Sequence, residues 1–168
     1  MNQAENIIYQ TGLCSLGPVL VAATDKGICA VLFSVPESTL VSDLLKRFPT
    51  ARPAENNSLS HHLQQIINYI ESPNQPMRMQ LDMRGSDFQQ QVWQALLTIP
   101  AGEKRSYSEL AAQIGKPKAC RAVANACARN PIAVLVPCHR VVHKSGTASG
   151  YYWGTKNKLA LQHREVSR

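Results

Sequence analysis

No stretch of this chain approaches the roughly 20 consecutive apolar residues that a membrane helix needs, which excludes a helical bilayer span. The opening MNQAENIIYQ has neither a basic cluster nor a long apolar run, so no secretory signal is expected. Cysteines are few and unpaired: Cys14, Cys29, Cys120, Cys127 and Cys138 are odd in number and never stand in CxxC spacing. That argues against a disulfide framework and for free thiols in a reducing, cytoplasmic setting. Cys14 and Cys29 have no companion ligand at metal spacing. The adjacent His61 and His62 point about 100° apart on a helix, so no metal is expected there either. Repeats and low-complexity tracts are absent. Acidic residues become scarce after position 83, where Asp87, Glu103, Glu109 and Glu165 face 13 Lys and Arg. Residues 1–83 carry 7 acidic and 5 basic side chains, so the net charge of +7 comes wholly from the second half. A basic half suggests a polyanionic partner, although exposed helices carry such charge for solubility too.

What is present divides the chain in two. With 168 residues and 44% apolar content, it is long enough for one domain or two small subdomains sharing an interface. Residues 6–13, 19–24 and 27–34 read as short strands of an antiparallel meander, punctuated by Leu16-Gly17-Pro18 and Asp25-Lys26-Gly27. Apolar stripes predict helices over 36–48 and from Ser58 or Ser60 to Ile70, with a polar connector at 51–57. Residues 77–82 alternate strictly and predict one more strand. Residues 1–83 are thus expected to be an α/β (α+β) subdomain without visible chemistry, and Arg84-Gly85-Ser86 a junction to a mainly helical subdomain at 84–168.

In that second half, Ser86 or Asp87 caps a helix carrying Phe88, Val92, Trp93, Leu96 and Ile99, ended by Pro100-Ala101-Gly102. Ser106 and Glu109 have capping-box spacing and open another helix that stops at Gly115. Pro117 suits the first turn of a further helix over 118–129. Two short helices joined through a glycine-containing turn in a basic segment fit a helix-turn-helix, though many helical hairpins bind no DNA. The second of them is rich in small residues, including Ala119, Ala122, Ala124 and Ala128, with Arg121 as its long cationic side chain. Such a helix can approach a groove closely, hold phosphates and read little sequence; tight helix packing would use the same residues.

The most reactive stretch is Val136-Pro137-Cys138-His139-Arg140-Val141-Val142. Thiolate is the nucleophilic form of cysteine, and His139 or Arg140 could raise its population. A buried structural thiol at a strand start is the plain alternative. If the segment is extended, residues 138 and 139 point to opposite sides, so a bridging atom suits Cys138 and His139 better than a direct bond.

Taken together, Ser106-Tyr107, Ile114-Gly115-Lys116-Pro117, Arg121-Ala122-Val123, Asn130-Pro131, the Cys138 stretch and Ser149-Gly150-Tyr151 resemble the O6-alkylguanine-DNA alkyltransferase (methylated-DNA–protein-cysteine methyltransferase) family. The bacterial Ogt and Ada C-terminal-domain type is the nearest in pattern. The match is dense over about residues 84–166 and looser before them. The resemblance implies a ribonuclease-H-like first half and a winged-helix-like second half. It implies DNA repair by direct reversal: the protein docks in the minor groove of duplex DNA, a damaged guanine is flipped out, and its O6-alkyl group moves irreversibly to Cys138. O4-alkylthymine is a further expected substrate. On the same resemblance His139 relays the thiol proton through a water, Glu165 polarises His139, Tyr107 donates to the leaving base, and Asn130 braces the turn before Cys138. Arg121 would replace the flipped base, with Ala122, Ala124, Lys118, Arg129 and Tyr107 against DNA. Val141, Ser149, Tyr151, Tyr152 and Trp153 would hold the base. A thioether product has no easy hydrolysis route, so the protein is expected to act once, as a monomer, with no metal, no cofactor and no membrane partner.

Two departures from the family pattern stand out. Trp153 occupies a position where some relatives carry a small residue. No cysteine cluster matches the additional zinc-binding domain of the larger Ada members or the zinc site of others, so regulatory function is not expected. Two rivals share parts of the pattern. A lesion-binding protein would keep Arg121 and Tyr107 but need no thiol. A cysteine hydrolase would use Cys138 and His139 but generally brings its histidine from elsewhere and needs no helix-turn-helix.

Overall fold

A computed structural model describes residues 5–73, 77–146 and 151–166, and the chain divides into two compact units, residues 1–83 and 84–168. In the first unit, β1 (Ile8–Cys14), β2 (Gly17–Thr24) and β3 (Gly27–Phe33) form the expected antiparallel meander. Gly27 opens β3 at φ +141°, and a Cβ there would stand 2.4 Å from the Gln80 carbonyl oxygen, so only glycine fits. Val19–Ala22 of β2 and Ile28–Phe33 of β3 are buried and carry this unit's core.

Helices α1 (Glu37–Arg47) and α2 (Ser60–Glu71) bury Leu40, Leu44, Leu63, Ile66 and Ile70. Ser60 begins α2, but the capping position is Leu59, whose side chain cannot cap. Gln10 of β1 supplies the missing partner, accepting from the Leu59 amide at 3.2 Å and donating to Ser60 Oγ at 2.8 Å.

Two expectations need correction here. The connector at 51–57 contains a short strand, β4 (Arg52–Pro53), which pairs parallel with β1 and makes the sheet mixed, in the order β3-β2-β1-β4. Arg52 N donates to Ile7 O and Ala54 N to Tyr9 O, so Pro53 sits where an amide would point off the edge, and its missing N–H costs nothing. Residues 77–81 keep their alternating exposure and Asp82 breaks it, and the stretch makes only the parallel bridge Ile28↔Leu81. Alternation marks a half-wet segment; it does not guarantee a ladder.

The second unit starts from a capping box. Ser86 Oγ accepts from Gln89 N, Gln89 Oε1 accepts in turn from Ser86 N, and α3 (Asp87–Leu96) follows. Its end comes at Leu96, before the proline, because tight turns over 97–99 take over. Trp93 is buried on α3, and its Nε1 donates to Ala126 O at 2.9 Å. Arg105–Ser106 forms β5, which leads into α4 (Tyr107–Gln113) through a second capping box between Ser106 and Glu109.

Gly115, at φ +77°, ends α4: its amide bonds Ala112 O while the Lys116 amide reaches back to Ala111 O, a Schellman closure. The next helix, α5 (Cys120–Ala128), starts two residues later than expected, and Pro117 lies in the turn before it. Helices α4 and α5 are the helix-turn-helix. After the reactive segment, β6 (Val141–Val142) pairs parallel with β5, and α6 (Thr155–Val166) closes the described chain. Among the described residues no helix is long and apolar enough to cross a membrane.

Candidate active site

The β5–β6 pairing sets the site. Ser106 opposite Val142 places Tyr107, the first residue of α4, beside the segment that carries Cys138. That segment is not extended. Cys138–Arg140 forms one 3-10 turn, so the reasoning from alternating side chains does not apply to it. No hydrogen bond joins Cys138 to His139 all the same, and a bridging atom is still required.

Leading into that turn, residues 130–137 are held by Asn130, which is fully buried. Its Nδ2 donates to Val136 O at 2.8 Å, to Ile132 O at 3.3 Å and to Cys138 Sγ at 3.3 Å. Its Oδ1 accepts from Ile132 N at 2.9 Å. Inside this loop Val134 sits at φ +69°, a left-handed conformation that a β-branched residue resists. Strain of this kind persists only where the surroundings over-determine it, and Asn130 does so here.

His139 is wholly buried, and its Nε2 lies 2.6 Å from Glu165 Oε1 on α6. The same oxygen takes Arg140 Nε at 2.9 Å and Arg140 Nη2 at 2.8 Å, while Arg140 Nη1 donates to Ile99 O. Burial alone would raise the Glu165 pKa, but its bonds and charge contacts with His139 and Arg140 prevail and bring it to about 2. Burial pushes the His139 pKa down, Glu165 opposes this, and the charges of Arg140 and Lys158 add to it. The imidazole is therefore neutral beside an ionised carboxylate. Nε2 must carry the proton, and Nδ1, buried without a protein partner, presents a lone pair.

Burial drives the Cys138 thiol up to about 11, although the Asn130 bond and the Lys158 charge pull the other way. The resting group is a thiol, and Arg140, which could have favoured the thiolate, is committed to Glu165 and Ile99. To act as a nucleophile, Cys138 would need a base. Tyr107 is buried, its ring 5.4 Å from that of His143 and 5.9 Å from Lys158 Nζ. Burial first, then the thiols of Cys127, Cys138 and Cys120, lift its hydroxyl to about 12, so it stays protonated at neutral pH and can donate a hydrogen bond.

Sequence reasoning passed over Lys158 and Gln162. Lys158 is only 1% exposed, and Gln162 Nε2 donates to His139 O at 2.8 Å. With Glu165 they stand at i, i+4 and i+7 on the buried face of α6. A polar stripe at helical spacing, where an apolar one is usual, was the available signal.

Further from the thiol, Arg121, Ala122, Asn125 and Arg129 form an exposed stripe on α5, with Ala124 half-buried behind it. Lys118 is exposed in the turn before it. Lys116 instead folds back on α3, 5.1 Å over the Phe88 ring and 3.3 Å from Gln91 Oε1. Val141 is buried in β6. Tyr151 and Trp153 are buried edge to face at 5.4 Å, and the exposed Tyr152 packs on Trp153 at the same distance. Ser149 lies outside the described residues. The site thus gathers Cys138, His139, Asn130, Tyr107, Lys158 and Glu165 around one thiol, while the α5 cations form a separate surface. Among the described residues no group of three His, Cys, Asp or Glu side chains is placed to hold a metal ion.

Residues 7–83 match the family profile described as the 6-O-methylguanine DNA methyltransferase, ribonuclease-like domain, and residues 87–167 match the DNA binding domain of the same family. The bifunctional transcriptional activator/DNA repair enzyme Ada of Escherichia coli (strain K12) is 48% identical over 165 residues, covering 96% of this chain and 47% of that protein. A methylated-DNA--protein-cysteine methyltransferase of Mycobacterium bovis is 59% identical over 90 residues, 54% of each chain. This chain therefore spans about half the length of these curated relatives. Among solved structures, Mycobacterium tuberculosis OGT in complex with DNA is similar with a TM-score of 0.80 at 38% identity, covering 94% of this chain and 92% of that one.

Proposed function

This chain belongs to the 6-O-methylguanine DNA methyltransferase family, and from that premise we propose that it repairs O6-alkylguanine in duplex DNA by moving the alkyl group to Cys138. The observation that carries the reading is a buried thiol, tied to Asn130, next to a neutral imidazole whose tautomer Glu165 fixes. His139 Nδ1 accepts the Cys138 proton through a bridging water. The sulfur attacks the alkyl carbon, an S–C bond forms, and the C–O6 bond breaks. The electron pair left on the guanine is neutralised by a hydrogen bond or proton from Tyr107. Because the product is a thioether, each protein molecule acts once.

The DNA surface in this reading is the exposed α5 stripe. Arg121 fills the gap left by the flipped nucleotide, Lys118 and Arg129 take phosphates, and Ala122 and Ala124 allow close approach within the minor groove. Asn125 joins them from its place in the stripe. Val141, Ser149, Tyr151, Tyr152 and Trp153 enclose the base. O4-alkylthymine is a secondary substrate, the protein acts as a monomer without cofactor, and its free thiols suit the cytoplasm. The test is repair with limiting protein. The number of O6-methylguanines removed from a duplex plateaus at the number of protein molecules added, and Cys138→Ala removes none while still binding the duplex. A plateau several times higher would require turnover and a different chemistry.

A further inference from the structure

We propose that Arg140 is a positioning residue for the transfer, acting through Glu165 to keep the proton off His139 Nδ1. The inference rests on the reading that Cys138 hands its proton to that nitrogen. Three nitrogens from two side chains share one buried carboxylate oxygen: His139 Nε2 at 2.6 Å, Arg140 Nη2 at 2.8 Å and Arg140 Nε at 2.9 Å. With Arg140 charged and Glu165 ionised, the trio is neutral without a proton on Nδ1. Arg140 Nη1, bonded to Ile99 O at the turn after α3, anchors the fork so that it cannot swing away. The other titratable groups facing His139 are Cys138 in its own turn and Lys158 from α6; Tyr151, coupled to Glu165, is held as a neutral phenol by burial.

Removing the guanidinium leaves one buried negative charge with no cation in contact. Burying an unpaired charge is costly, so the site takes up a proton. If the proton goes to His139, the imidazolium carries hydrogen on both nitrogens. If it goes to Glu165, the carboxylic acid donates to Nε2 and the tautomer inverts, leaving hydrogen on Nδ1 again. Either way the lone pair that should receive the Cys138 proton is lost. It returns only when the pH rises far enough to remove the added proton. Glu165 alone would tighten its hold on His139 and disable it; Arg140 divides that hold.

The experiment is single-turnover transfer from an O6-methylguanine duplex to wild type, Arg140→Met and Arg140→Lys, each from pH 5.5 to 9.5. Alongside it runs ¹⁵N NMR of the His139 ring in the DNA-free proteins. Arg140→Met is expected to lose at least tenfold in rate at pH 7 and to regain it toward pH 9.5, with its acid limb moved up by more than one unit. Arg140→Lys keeps the charge but cannot fork, so its limb stays at the wild-type position while its rate is lower throughout. At pH 7 the Nδ1 resonance is expected in the unprotonated range in wild type and in the protonated range in Arg140→Met. Uniform slowing of Arg140→Met at every pH, or an unprotonated Nδ1 in that variant, would overturn the proposal. If Arg140→Met fails to fold, a displaced acid limb in Arg140→Lys would do the same. Absence of transfer in wild type would instead sink the functional reading, with the NMR result still deciding the charge assignment.

Discussion

Replacing Asn130 with alanine tests how the reactive turn is held. The substitution removes two short buried bonds, to Val136 O at 2.8 Å and from Ile132 N at 2.9 Å, and two longer ones, to Ile132 O and Cys138 Sγ at 3.3 Å. Ile132 N is left without a partner, at about 1–3 kcal/mol, while Val136 O and Ile132 O, which keep the Cys138 and Val136 amides, each lose a bond worth about 0.5–1.5 kcal/mol. Part is returned, because Val134 at φ +69° is then free to relax from a conformation costing on the order of 1–2 kcal/mol. The net loss should be about 2–4 kcal/mol, felt locally in residues 130–138. Amide hydrogen exchange reads this directly. Protection at Ile132, Val136 and Cys138, whose amides bond Asn130 Oδ1, Ile132 O and Val136 O, is expected to fall by roughly 30- to 1,000-fold. Amides of β2 and β3 in the first unit serve as the unaffected control. Loss of the Nδ2 donor also raises the Cys138 pKa further, so reactivity should fall with protection. Unchanged protection at those three amides would refute the brace, and an equal fall across both units would show a general rather than a local role.

The Glu165 carboxylate, held at about 2 when folded against an ordinary 4.5, contributes about 3 kcal/mol of stability above pH 4.5 that is lost as the pH falls toward 2. Urea unfolding of wild type and Glu165→Gln should therefore show a constant gap above about pH 5 that narrows below it, and a pH-independent gap would contradict the assignment. Lys158→Met removes a charge that favours the Cys138 thiolate, so iodoacetamide labelling of Cys138 should shift to higher pH, with Lys158→Arg staying near wild type. An unmoved labelling curve would remove Lys158 from the site's electrostatics. Arg121→Ala is expected to weaken capture of a lesion-bearing duplex by on the order of tenfold more than binding of an undamaged one, and equal losses would count against its filling the vacated stack.

How far the sequence revealed the molecule depended on how local each determinant was. The capping box at Ser106 and the stop at Gly115 are written within six residues and could be read directly, whereas Ser86 was read only as one of two caps and its box with Gln89 came from the structure. The strands of the meander announced themselves by turn residues on either side. Edges were harder: β4 is two residues, one of them proline, and rests on Ile7 O, just before β1, and Tyr9 O within it. Residues 77–82 had the alternation of a strand but found a partner only at Ile28. In the site, the Cys138 stretch and its resemblance named Cys138, His139, Glu165, Asn130 and Tyr107. Proximity misled for Arg140, which is two residues from the thiol in sequence yet spends its fork on a carboxylate 25 residues away. Lys158 and Gln162 escaped notice because no helix was read over residues 155–166, so their place beside Glu165 on its buried face was not seen.

The central claim is that Cys138 is the acceptor, and intact mass tests it most directly. The protein is incubated with excess O6-methylguanine duplex, weighed, digested and mapped. A gain of about 14 Da, one methyl in place of one hydrogen, saturating at one per chain and confined to the Cys138 peptide, is the expected result. Repaired DNA beside an unmodified protein, or a methyl group found on Cys120 or Cys127 with Cys138 free, would contradict it.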